Sequence, residues 1–65
     1  MKTELENIEL INGLLKEAKD NFTGEWTDTH KSRMNQIFKY IELLNYNTGK
    51  RYVIDRDTNK LVVEK

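Results

Sequence analysis

The chain has 65 residues, no cysteine, no proline, one histidine and one tryptophan, and its eleven Lys plus Arg balance eleven Asp plus Glu to a formal net charge of zero. That length allows one small domain, residues 1–65, near the lower limit for independent folding, because ordering costs roughly 1.5 kcal/mol per residue and a single small core barely offsets it. Disulfides are excluded, a structural zinc site is not built from one His and no Cys, and no run approaches the ~20 apolar residues of a membrane span.

The lack of cysteine fits a reducing compartment. Met1-Lys2-Thr3-Glu4 leads directly into an amphipathic pattern rather than into an apolar secretory segment, so a short, complete cytoplasmic protein is expected. Seven Asn and eight Lys against three Arg suggest an AT-rich genome of the kind found in low-GC bacteria and their phages.

The first periodic segment runs from about residue 4 to 21. Ile8, Ile11, Leu15, Ala18 and Phe22 are spaced 3, 4, 3 and 4 apart, with Leu5 and Leu14 widening the stripe, which is one face of an α-helix. Thr3-Glu4-Leu5-Glu6 matches a capping box, in which the Thr3 hydroxyl and the Glu6 carboxylate each take an orphan backbone N–H. Gly13 weakens the interior of this helix or marks a close approach. Thr23-Gly24-Glu25-Trp26 is a short connection in which Gly24 can take the left-handed conformation that ends a helix. Thr27 or Thr29 then caps a second helix over about 28–45. Its stripe is His30, Met34, Ile37, Ile41 and Leu44, with Phe38 and Tyr40 beside it. The short loop makes the two helices an antiparallel hairpin.

Asn47-Thr48-Gly49 breaks the period. Two β-prone runs follow, about 50–55 and 60–65, separated by Arg56-Asp57-Thr58-Asn59, which suits a four-residue loop on a type I turn with Asn59 left-handed. That loop pairs Asp55 with Lys60, Ile54 with Leu61, Val53 with Val62, Tyr52 with Val63 and Arg51 with Glu64. Tyr52, Ile54, Leu61 and Val63 then share an apolar face, and opposite charges flank the Val53–Val62 pair on the other. A one-residue slip would destroy both patterns. Lys50 opposite Lys65 is the single mismatch. The fold class is therefore α+β: an αα-hairpin with a β-hairpin laid across its apolar stripes.

The residues that this core does not need are the informative ones. Leu10 and Leu43 lie off their helical stripes, Val53 and Val62 form the outer face of the β-hairpin, Trp26 sits in the interhelical loop and Tyr40 borders the second stripe. Trp and Tyr are enriched at interface hot spots, so Trp26, Leu10, Leu43, Tyr40, Val53 and Val62 are the candidate protein-contact residues. Alternatively, Trp26 lids the open end of the helical hairpin. The outer edges of a two-stranded sheet stand unpaired, and edge pairing between two copies would give a symmetric homodimer.

Charge is divided along the chain: residues 1–28 carry three Lys against seven acids, and residues 29–65 carry eight bases against four acids. Lys50, Arg51, Arg56 and Lys60 near Tyr52 supply the basic and aromatic side chains of a single-strand nucleic-acid binder, although zero net charge argues against that use. The acids of the first helix are interrupted by Lys2, Lys16 and Lys19, which argues against mimicry of DNA.

Chemistry is poorly represented. His30 is at a stripe position, and Ser32, two residues on, points away from it. The three glycines form no phosphate loop. Asp55, Asp57 and Asn59 alternate like the start of a calcium loop, but position six is Lys60 and position twelve lies past the end. No catalytic residue, metal ligand or cofactor is assigned. The expected function is that of a small non-enzymatic binding protein, a regulator or inhibitor of phage or mobile-element type that contacts a larger host or bacterial protein. The alternatives are a weak nucleic-acid binder and a structural oligomer subunit.

Overall fold

The computed structural model describes residues 3–64. Two helices, α1 (Glu4–Asp20) and α2 (Asp28–Thr48), are followed by two strands, β1 (Tyr52–Asp55) and β2 (Lys60–Val63). The strands form an antiparallel hairpin that packs on the helical pair. The expectation for residue 65, its place opposite Lys50, lies outside the described residues.

Local chemistry sets the ends. Thr3 caps α1 through its hydroxyl, which accepts from the Glu6 N–H at 3.2 Å. The Glu6 carboxylate completes the motif differently from the expected box, accepting from the Thr3 hydroxyl at 3.3 Å. Thr27 caps α2 in the same way, accepting from the His30 N–H at 3.2 Å. Gly24, expected to end α1, lies beyond its C-cap, Asn21, and uses its positive φ inside the loop instead. Helix α2 runs three residues past the expected Asn45 and stops at Gly49, whose φ of 70° is left-handed. The Asn47-Thr48-Gly49 cluster therefore ends the helix rather than replacing it, and Thr48 turns its hydroxyl back to the Leu44 carbonyl at 2.8 Å.

The hairpin register is the expected one, Tyr52 with Val63, Val53 with Val62, Ile54 with Leu61 and Asp55 with Lys60. Asn59 is left-handed, with φ 56°. The Arg51–Glu64 pair closes as an ion pair at 3.1 Å. The core is Ile11, Leu15 and Ala18 from α1, Ile37, Ile41 and Leu44 from α2, and Tyr52 and Leu61 from the strands.

Three residues assigned to the stripes, Leu5, Phe22 and Phe38, stand outside this core, and so does Val63, expected on the apolar face of the hairpin and found exposed at its open end. Leu5 is 65% exposed and Phe38 51% exposed. For these two the reason is direction: at about 100° per residue, Leu5 lies roughly 110° round α1 from the line of Ile11, Leu15 and Ala18, and Phe38 roughly 90° round α2 from Ile37, Ile41 and Leu44. The hairpin reaches the level of both, since Glu4 bonds Tyr52 and Phe38 shares a groove with Tyr52 and Ile54, but neither side chain points under it.

The sheet edges expected to stand open are partly occupied. Asn45 of α2 accepts from the Tyr52 N–H at 2.7 Å and donates to the Tyr52 carbonyl at 3.3 Å, so its amide acts as one residue of a neighbouring strand. On the other edge Asn12 of α1 accepts from the Leu61 N–H at 2.8 Å. Asn59 ties the turn to α1 by donating to the Leu15 carbonyl at 3.1 Å.

Candidate protein-contact surfaces

Three aromatic rings close the open end of the helical hairpin. Phe22, just past the end of α1, lies 4.6 Å from the His30 ring between centroids. Trp26 meets His30 edgewise at 4.7 Å and Phe22 at 5.8 Å. His30 is buried, and its Nδ1 is the buried side-chain polar atom without a partner among the described residues. Trp26 does sit as a lid, yet it keeps 60% of its surface exposed.

The six candidate contact residues separate into two surfaces and one outlier. Trp26 and Val53 line a groove of about 680 Å³ between α2 and β1, together with Met34, Phe38, Ile54 and Arg56. Leu10, Tyr40 and Leu43 line a second, smaller groove of about 240 Å³ between the two helices, with Asn7 and Asn47 at its end. Val62 stands exposed on the outer face of β2. Met34 and Ile54 pack against the core as expected and are only partly buried, so they form the floor of the groove beside β1, whereas Phe38, also assigned to the core side, stands exposed.

The groove beside β1 also offers main chain. Because the Tyr52 N–H goes to Asn45, Tyr52 and Val63 are a non-hydrogen-bonded pair, and so, two residues on, are Ile54 and Leu61. The Leu61 N–H bond to Asn12 agrees. The Ile54 N–H and C=O therefore point out of the β1 edge, beside the apolar side chains of that groove.

The basic residues considered for nucleic acid are largely committed elsewhere. Lys50 pairs with Glu4 at 2.8 Å and Arg51 with Glu64. Tyr52 is buried, so its ring offers no face for base stacking, and its hydroxyl donates to Glu4 at 2.6 Å. Arg56 and Lys60 remain exposed at the ends of the turn.

Glu4, Lys50 and Tyr52 clamp the start of α1 to the start of β1. The Lys50 ammonium, followed by the Tyr52 hydroxyl, holds the Glu4 carboxyl below its ordinary pKa. The carboxylate in turn raises both Lys50 and Tyr52 above theirs. A depressed carboxyl adds stability above its unfolded-state pKa and loses it as pH falls through the folded value. The raised phenol and ammonium add stability below their unfolded-state values and lose it as pH rises through the folded ones. Thermal unfolding across pH should therefore show a plateau from mildly acidic to mildly alkaline pH that falls at both ends. Glu4→Gln should flatten both shoulders, and salt should shrink the difference, because the clamp is open to solvent.

Among the described residues no group of three His, Cys, Asp or Glu side chains could hold a metal ion, and no helix is long and apolar enough to cross a membrane. Comparison with family models, curated proteins and solved structures finds no match for this chain.

Proposed function

We propose that this chain is a small non-enzymatic binding protein, a regulator or inhibitor that works by covering part of a larger protein. The observation that carries the reading is the groove between α2 and β1, where Trp26 and Phe38 are 60% and 51% exposed beside Met34, Val53 and Ile54. Large aromatic side chains left outside a core this small are the usual anchors of an interface. The outward N–H and C=O of Ile54 add a main-chain pair beside them, which suits an extended apolar segment of the partner. Only one such pair is open next to the groove, since Asn45 occupies the Tyr52 position, so side-chain burial rather than a long β-ladder supplies the affinity. Arg56 at the rim favours a partner with an acidic residue flanking that segment.

The test is capture from a bacterial lysate by the wild-type chain, Trp26→Ala, Phe38→Asp and Val62→Asp. A specific partner should be retained by wild type and Val62→Asp and lost from the other two, with affinity reduced by roughly 2 kcal/mol, about thirtyfold, for Trp26→Ala. Equal recovery of the same protein by all four, or recovery of none, would falsify the reading.

A further inference from the structure

The helical pair has two broad sides, and the β-hairpin covers one. At about 3.6 residues per turn, Asn12, Lys16 and Lys19 lie on the flank of α1 that meets the hairpin, as the Asn12 bond to Leu61 and the groove shared by Lys16, Lys19 and Lys60 require. Asn7, Leu10, Leu14 and Glu17 lie on the opposite flank. On α2, Asn45 marks the hairpin side, and Arg33, Tyr40, Leu43 and Asn47 the other. The uncovered side therefore presents Leu10, Leu14, Tyr40 and Leu43 in its centre.

We propose that a second copy of this chain covers this face, making an antiparallel four-helix bundle with the β-hairpins outside. Two observations select that occupant. The first is area. The chain exposes 5269 Å², whereas a compact monomer of 7.8 kDa exposes roughly 4,400 Å². The excess over the whole chain, about 900 Å², is enough for the ~800 Å² that one partner contributes to a standard interface.

The second is charge. On this side α1 carries the acids Glu6 and Glu17, its lysines being on the hairpin flank. Arg33 lies on the corresponding flank of α2, while Lys39 and Glu42 both stand farther round beside Leu43 and offset each other, so Arg33 sets the charge of that flank. Two-fold symmetry allows two face-to-face arrangements. An axis across the helices lays α1 on α1 and α2 on α2, acid against acid and base against base. An axis along the helices lays α1 of each copy on α2 of the other, antiparallel, with opposite charges facing. The second arrangement is favoured. The grooves place Asn7 level with Asn47 and Ala18 level with Met34, so Glu17 of one copy comes level with Arg33 of the other. Neither residue forms an ion pair within the chain among the described residues. Edge-to-edge pairing of strands, the other route to a dimer, is hindered by Asn45 and Asn12.

Sedimentation equilibrium over a range of concentrations tests the proposal. The wild type should reach twice the 7.8 kDa chain mass. Leu10→Asp and Leu43→Asp, both at exposed positions and checked for helix content by circular dichroism, should remain monomeric. Glu17→Arg and Arg33→Glu should each weaken the dimer about tenfold or more, and the double reversal should restore it, since a facing pair is recovered when both signs are exchanged. Phe38→Asp, on the other side of the molecule, should leave it intact. A single-chain mass at every concentration overturns the proposal. So does a dimer that survives Leu10→Asp and Leu43→Asp, or a double reversal no stronger than the single ones.

Discussion

Leu15→Ala should lower stability by about 2–5 kcal/mol, a large fraction of what holds a domain of this size together. Leu15 is 1% exposed and belongs to the cluster that joins both helices to the hairpin. Truncation loses the transfer energy of the buried carbons and leaves a cavity, because two helices and a hairpin anchored by side-chain bonds cannot close on the gap without breaking those bonds. A domain of 65 residues has a total stability of about 3–10 kcal/mol, and each kcal/mol shifts the melting temperature by roughly 4–8 °C at this size. Leu5→Ala is the internal comparison. It removes the same atoms from the same helix, but at a site exposed to solvent, and should change stability by no more than about 0.5 kcal/mol. Urea denaturation of both variants checks the contrast. A Leu15→Ala loss below about 1 kcal/mol would contradict the packing described for the α1–α2–hairpin junction.

The comparison between Leu15 and Leu5 also shows where periodicity stops being informative. A helical repeat identifies a direction on the helix, and Ile11, Leu15, Ala18, Ile37, Ile41 and Leu44 all lie along it and are buried. It does not say how wide the covered stripe is. Leu5 and Phe38 are apolar residues at the margin of their stripes, roughly 90° or more round from the buried line at about 100° per residue, and stay exposed. The hairpin was more fully legible because three constraints, turn chemistry, apolar face and cross-strand charge, act on the same few residues and agree on one register. The end of α2 was misplaced because Asn45, Asn47 and Gly49 all resemble stop signals. Only the left-handed Gly49 is one, whereas Asn45 stays helical and faces the sheet. Of the contact residues, Leu10, Tyr40 and Leu43 were each legible as surplus to the core but not as one surface, because periodicity gives the flank of each helix and not how the two helices face each other. The association of Trp26 with Phe38 was not legible either, because it depends on the loop folding back over the open end of the helices.

Asn45→Ala should be the most damaging substitution of a polar side chain in this molecule. The Asn45 amide supplies both an acceptor and a donor to the main chain of Tyr52, a buried residue with no strand on that side. Removing it leaves the Tyr52 N–H and C=O facing α2 with no partner there, at about 1–3 kcal/mol for each group that water does not reach. Asn12→Ala removes a single acceptor, from the Leu61 N–H, and should lose about half as much. Both losses are local, so amide hydrogen exchange separates them. In the wild type the Tyr52 and Leu61 amides should exchange slowly despite sitting on sheet edges. Asn45→Ala should speed exchange at Tyr52 while leaving Leu61 protected, and Asn12→Ala should do the reverse. Asn45→Ala also extends the open edge of β1 from Ile54 to Tyr52, so it should increase self-association through strands at high concentration. Equal exchange at Tyr52 in wild type and variant would mean that the Asn45 amide does not hold that edge. The two asparagines are thus an economical answer to the weakness of a two-stranded sheet: each helix contributes one side chain that stands in for a missing strand, and the hairpin is fixed to the helices by the same bonds that close its edges.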